Sequence, residues 1–155
     1  MKAADLPLYY NAIDILERNL AERAHKVALY SLEREMSFRE VAKEVNQVGN
    51  ALKRLGVQMG EFVGILSLDG PEWVTSFFGT VKIGAIAMGI NTLLAPHEYA
   101  YMLRDSRARV LIVHEALLPA IEEIRDGQPL LEHIIVVGQS GRVGDISYRD
   151  WISGE

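Results

Sequence analysis

The 155-residue sequence contains no cysteine. Disulfide scaffolds, thiolate metal sites, iron–sulfur clusters and cysteine nucleophiles are therefore excluded, and the chain suits a reducing compartment. No apolar run comes near the roughly 20 residues of a membrane-spanning helix; the longest are short stretches such as 85–90. Residues 1–10 carry no apolar segment behind a basic start, so no secretory leader is expected. An excess of basic charge is also lacking: 16 Lys and Arg against 21 Asp and Glu give a net charge of −5, which argues against a nucleic-acid surface as the main function. Together these absences lead to the expectation of a soluble, cytoplasmic protein with neither nucleic acid nor membrane as a partner. What is present is ordinary, 49% hydrophobic and 24% charged residues, enough for a packed core. The length fits one domain or part of a larger one.

Three parts are legible along the chain. Over 11–56 the pattern predicts a helix, a short hairpin and a second helix. Ile13, Leu16, Leu20 and Ala24 recur at helical spacing over 11–24. Residues 27–30 and Met36 flank the polar stretch 32–35 as in a hairpin. Ser37 and Glu40 form an S-x-x-E capping box. It opens a helix over 38–55 whose inward stripe is Val41, Val45, Val48, Ala51, Leu52 and Leu55, with Gly56 as the stop.

Over 60–138 short apolar runs alternate with helical patterns, which predicts an α/β fold of parallel βαβ units. Strands are expected at 62–68, 85–90, 109–113 and 133–137, and helices at 72–82 behind Pro71, from Pro96 to 105, and at 115–125. The remainder, 139–155, reads as a loop and a short helix that Ser147 and Asp150 could cap.

Common active-site fingerprints fail residue by residue. No G-x-G-x-x-G follows the first parallel strand, and Gly79 and Gly84 have Walker spacing but Ala85 in place of its lysine. His97-Glu98 and His114-Glu115 lack the second histidine one turn on that a helical zinc site needs. No G-x-S-x-G elbow is present, and Gln139-Ser140-Gly141 follows a strand without entering a helix. The sequence thus assigns no catalytic, cofactor or metal residue.

If the sheet binds a ligand, the carboxyl ends of its strands are the place: Asp69-Gly70, Asn91-Thr92, His114 and Gly138. Asp69 and Glu72 put negative charge at a helix start, where it steadies the helix but repels phosphate. Asn91 and Thr92 are the substrate-facing candidates; the competing reading is an Asn that supports a turn. His114 reads as a helix-start residue in preference to a base. Trp73, Phe77 and Phe78 on one helix, and Tyr99 and Met102 on the next, read as core. Arg104, Asp105, Arg107 and Arg109 read as a solvated rim.

Several strings resemble the N-terminal part of acyl-adenylate-forming enzymes, the acyl-CoA synthetase superfamily. They are Leu66-Ser67-Leu68-Asp69-Gly70-Pro71-Glu72-Trp73, Phe77-Phe78-Gly79 with Lys82-Ile83-Gly84-Ala85, Asn91-Thr92-Leu93-Leu94, and Tyr99-Ala100-Tyr101-Met102-Leu103 with Asp105-Ser106-Arg107-Ala108. Tyr10-Asn11-Ala12 and Gly49-Asn50-Ala51-Leu52 fit the same pattern. Within the superfamily they are most similar to benzoate-CoA and related aryl-CoA ligases. The resemblance implies an acid-thiol ligase that uses ATP and Mg²⁺ to turn an aromatic carboxylate into an acyl-adenylate and then passes the acyl group to coenzyme A.

It also implies that 1–155 is the N-terminal portion of the large adenylating domain. The phosphate loop, the adenine and ribose motifs and the catalytic lysine of that family lie downstream, so no catalytic residue carries over. The chain by itself is expected to be inactive and, with an unpaired strand edge, to self-associate. Two other readings stand beside this one: a stand-alone non-catalytic α/β binding or interaction domain, and a small flavodoxin-like or dinucleotide-binding enzyme.

Overall fold

The computed structural model describes residues 9–32, 34–139 and 143–154. Residues 1–10, where no leader is expected, and the loop expected at the start of 139–155 fall partly outside these residues. Two short helices, α1 (Asp14–Glu17) and α2 (Leu20–Arg23), lead into the antiparallel pair β1 (Val27–Tyr30) and β2 (Glu35–Ser37). The long α3 (Phe38–Arg54) follows. Then come β3 (Phe62–Leu66), α4 (Pro71–Lys82), β4 (Ile86–Gly89), α5 (Pro96–Ser106), β5 (Val110–His114), α6 (Leu118–Glu122), β6 (His133–Val137), β7 (Ile146–Ser147) and α7 (Tyr148–Ser153). Strands β3 to β7 form one parallel sheet in the order β4-β3-β5-β6-β7.

Strand alternation divides the core in two. Val63, Val110, Ile112 and Ile135 face Val48, Ala51 and Leu52 of α3 and Tyr148 and Trp151 of α7. Leu66, Leu111, Val113, Ile134 and Val136 face Tyr99 and Leu103 of α5 and Ile121 of α6. Residues apolar on both faces are what central parallel strands need. A third cluster, Ile13, Leu16, Met36, Val41, Ala42 and Val45, fills the far side of α3 beneath α1 and the hairpin.

The ends of α3 behave as the sequence predicts. Ser37 Oγ accepts from the Glu40 N–H and Glu40 Oε2 accepts from the Ser37 N–H, which completes the capping box. At the other end Val57 N–H donates to Leu52 O and Gly56 N–H to Lys53 O, a Schellman stop that Gly56 permits at φ 80°. In the middle, α3 meets α4 backbone to backbone. A Cβ on Gly79 would stand 2.6 Å from Val48 Cγ1, and one on Gly49 3.2 Å from Gly79 O.

Four expectations need correction. The helix over 11–24 is two helices, because the Asn19 side-chain amide bonds to Ile15 O (2.8 Å) and the Asn19 N–H to Leu16 O, which tightens the chain between them. The helix over 115–125 is a 3₁₀ turn (Glu115–Leu117), α6 and a second 3₁₀ turn (Arg125–Gly127). Pro119 supplies no N–H to carry one ladder through. The region 139–155 is more than loop and helix: it adds β7 to the edge of the sheet, beyond the four strands expected. Finally, the fully buried face of α4 is Thr75, Ser76, Gly79 and Thr80, while Trp73 and Phe77 are half-buried and stacked on each other; Phe78, half-buried too, packs against the third cluster as expected of a core residue. Tight helix contact selects small residues and pushes the large rings outward.

The return from β6 to β7 is held by Arg125, whose Nη2 lies 2.8 Å from Asp145 Oδ1, a side chain with no exposed surface. Removing the cation leaves a buried carboxylate unpaired, whereas neutralising the carboxylate leaves a guanidinium that reaches water and Glu122. Arg125→Ala is therefore expected to lower stability by about 3–5 kcal/mol, and Asp145→Asn by less, measured by urea unfolding. Gly79→Ala is expected to lower it by about 1–3 kcal/mol, with part of the loss recovered when Val48→Ala is added.

Candidate functional site

In a doubly wound sheet, ligands bind beyond the carboxyl ends of the strands, where the chain switches direction across the sheet. Here that point lies between β3 and β5, because β4 follows β3 on one side and the chain then crosses to β5 on the other. Ser67 to Gly70 leave β3 there, and His114 and Glu115 leave β5. Asn91 and Thr92 leave the edge strand β4, one strand away from the switch point.

Asn91, His114, Glu115 and Glu98 at these ends bond to the chain itself. Asn91 is exposed and its Oδ1 accepts from the Leu93 N–H at 3.0 Å, closing a turn; Thr92 beside it is half-buried. His114 caps the 3₁₀ turn, its Nδ1 accepting from the Ala116 N–H at 3.2 Å. This is the helix-start role expected of it. Glu115 Oε2 accepts from the Gln139 N–H. It packs so closely under Gly138 (φ 110°) that a Cβ there would lie 2.5 Å from Glu115 Cδ. Glu98 Oε2 takes the Ala95 N–H at 2.8 Å, and α4 and α5 each begin with a proline, which has no N–H to offer.

A nucleotide triphosphate needs free backbone donors and compensating positive charge. The helix starts at these strand ends instead carry Glu72, Glu98 and Glu115. Among the described residues no group of three or more His, Asp and Glu is placed to hold a metal ion. The residues present therefore do not fit ATP and its Mg²⁺ on their own. A separate open cavity of about 560 Å³ is lined by Leu20 of α2, by Ala24 just past its end, and by Arg39, Ala42, Lys43, Asn46, Gln47 and Asn50 of α3.

One polar cluster was invisible to sequence reasoning. Arg34, beyond the hairpin turn, forks onto Glu44 of α3 with Nη1–Oε2 and Nη2–Oε1 both at 3.1 Å, and its Nη2 reaches Glu72 Oε1 of α4 at 2.8 Å. Thr75 Oγ1 donates to Glu44 Oε1 (3.2 Å) and lies 2.8 Å from the Tyr148 hydroxyl of α7. Glu44 is only 7% exposed. Burial works to lower the Arg34 pKa, but the hydrogen bond and charge of Glu44, with Glu72, outweigh it and hold the guanidinium more firmly charged. Glu72, read from sequence as a helix-dipole charge, is thus also the pin that ties the start of α4 to the hairpin. The spacing from 34 to 44 to 72 follows no local period, so only the fold brings these groups together.

The fold and these ends have counterparts. A family described as AMP-binding enzyme matches residues 16–149, and the chain belongs to it. It is 39% identical over 142 residues to a benzoate–CoA ligase of Thauera aromatica, a match covering 90% of this chain and 27% of that protein. It is 35% identical over 133 residues to a 4-hydroxybenzoate–CoA/benzoate–CoA ligase of Rhodopseudomonas palustris, covering 85% and 25%. Among solved structures, an anthranilate CoA ligase in complex with anthranoyl-AMP superposes with a TM-score of 0.97 at 65% identity, over 100% of this chain and 30% of that one. The chain spans about a quarter to a third of the length of these relatives.

Burial pushes the Tyr148 phenol well above the usual tyrosine range; its bond to Thr75 works the other way, and the charges of Glu44 and Glu72 reinforce the rise. A folded-state pKa above the unfolded value gives stability that is complete below the unfolded pKa and lost as pH climbs beyond it. Unfolding free energy should therefore fall from about pH 10 upward, with Tyr148 contributing up to about 1.4 kcal/mol per pH unit. Tyr148→Phe is expected to flatten that limb in alkaline urea titrations.

Proposed function

We propose that this chain is the N-terminal part of the adenylating domain of an aryl-CoA ligase. Such an enzyme joins an aromatic carboxylate of the benzoate or anthranilate type to ATP, giving acyl-adenylate and pyrophosphate. It then transfers the acyl group to the thiol of coenzyme A with release of AMP. The observation that carries this reading is the 65% identity, kept over the entire chain, to an anthranilate CoA ligase whose solved structure holds anthranoyl-AMP. The benzoate-CoA ligase relatives support the same substrate class.

Within that enzyme the chain acts as scaffold. Near its strand ends the Ala95 and Gln139 N–H groups are taken by Glu98 and Glu115, and the helix starts present carboxylates, so the groups that grip triphosphate and Mg²⁺ come from elsewhere in the protein. Asn91 and Thr92 would face the substrate side of the completed domain, the exposed turn offering small hydrogen-bonding groups. The protein works in the cytoplasm, and alone this chain is inactive.

Benzoate- or anthranilate-dependent ATP–pyrophosphate exchange tests the reading. The 155-residue chain should give none. A chimera in which it replaces the matching segment of the Thauera aromatica benzoate–CoA ligase should exchange with an aromatic acid. Exchange by the short chain, or a folded chimera that binds ATP but stays silent with every aromatic acid, would sink the proposal.

A further inference from the structure

Ion pairs fasten the parallel sheet at both ends, in different ways. At the amino end they join neighbouring strands. Arg109, just before β5, meets Glu132 before β6 (2.7 Å) and Glu61 before β3 (3.7 Å), and Arg125 holds Asp145 before β7 (2.8 Å). At the carboxyl end the cation comes from outside the sheet. Arg34, which precedes β2, forks onto Glu44 of α3 and reaches Glu72 Oε1 at 2.8 Å. Glu72 lies in the first turn of α4, two residues past the 67–70 turn that leaves β3 at the switch point.

That turn has little of its own to fix it. Gly70, the N-cap of α4, makes no side-chain cap bond, and Pro71 has no N–H. What lies against Gly70 is the Glu72 carboxylate: a Cβ there would stand 3.5 Å from Glu72 Oε2. One oxygen of Glu72 thus packs toward the turn while Arg34 grips the other. Thr75 Oγ1, one helical turn on, lies 3.4 Å from Glu72 O, 3.2 Å from Glu44 Oε1 and 2.8 Å from the Tyr148 hydroxyl. The Glu44 and Glu72 side chains are only 10% and 19% exposed. Without Arg34 these two carboxylates would stand close together with their shared cation gone, and like charges repel strongly where water is scarce. The start of α4 is the part able to yield, since α3 is packed into a core on either side.

We infer that Arg34 is a positioning residue for the ligase reaction: by holding Glu72 it fixes the 67–70 turn against the ligand at the switch point of the sheet. The inference rests on the ligase reading for its ligand and on the Arg34–Glu72–Gly70 contacts for its geometry. Arg125 is the matching control, because it braces the amino end of the same sheet.

Hydrogen exchange and kinetics together test it. In the 155-residue chain, Arg34→Ala should speed amide exchange over 67–75 and leave β6 protected, whereas Arg125→Ala should loosen 145–147. In the chimera with the Thauera aromatica ligase, rates of aryl-CoA formation give kcat and the KM of each substrate. Arg34→Ala should lower kcat by about 10- to 100-fold, the cost of misplacing a reacting group by about 1 Å. Arg34→Lys, which keeps the charge but loses the fork, should fall between. Arg125→Ala should leave kcat unchanged at temperatures where the chimera is folded, although its unfolding midpoint drops. Unaltered exchange over 67–75 in Arg34→Ala overturns the inference whatever the chimera does. So does an unaltered kcat in the folded Arg34→Ala chimera, or an equal fall in Arg125→Ala, which would make Arg34 a residue of stability alone. A parent chimera without activity removes the ligase reading, and the positioning role with it. Should Arg34→Ala fail to fold, Arg34→Lys and Glu72→Gln, which loosens the same grip, decide.

Discussion

The fold depends on how closely α3 and α4 approach. With Gly49 and Gly79 at the crossing there is no room for another methyl group: the space a Gly79 side chain would need is already held by Val48. That approach lets α3 serve two cores at once. Val48, Ala51 and Leu52 pack on the parallel sheet, and Val41, Ala42 and Val45 pack under the hairpin and α1. A wider separation would open a void between the layers, and close-packed interiors do not tolerate one without loss of stability. The same constraint explains why the buried face of α4 consists of Thr75, Ser76, Gly79 and Thr80 while its aromatic rings stand half outside.

Once the helices are that close, the polar groups between them must be paired. Arg34 reaches across from the hairpin to satisfy Glu44 and Glu72, and Thr75 and Tyr148 complete the cluster from α4 and α7. Four segments far apart in sequence are fastened at one place. Glu72 belongs both to this cluster and to the first turn of α4, so the cluster also sets where the β3–α4 turn sits at the carboxyl end of the sheet. The chain belongs to the AMP-binding enzyme family, and several groups at that end of the sheet are taken by the chain itself. Its helix starts are closed by prolines and by Glu98, and the Gln139 N–H is taken by Glu115.

Local signals and structure agree where one short segment carries the whole cause. The Ser37–Glu40 box, the Gly56 stop, the prolines opening α4 and α5, and the apolar runs of β3, β5 and β6 each state their structure within a few residues. The resemblance to aryl-CoA ligases was legible for the same reason, since its strings are contiguous. Local pattern and structure part company where the deciding partner lies outside the segment's own apolar period. Asn19 divides the first helix by bonding back to Ile15, and Pro119 breaks the third by withholding a donor. A strand as short as β7 has no period to detect and exists through its pairing with β6.

By itself, then, the sequence determined the α/β class, the direction and order of most elements, and the family, because helix caps, strand runs and motif strings are local. Only the tertiary structure decided the fifth strand, the small-residue face of α4 and the Arg34–Glu44–Glu72 cluster. It also decided that Asn91 follows an edge strand, one strand away from the switch point. Each of these depends on which distant residues the fold sets within contact of one another, and no periodicity along the chain encodes that.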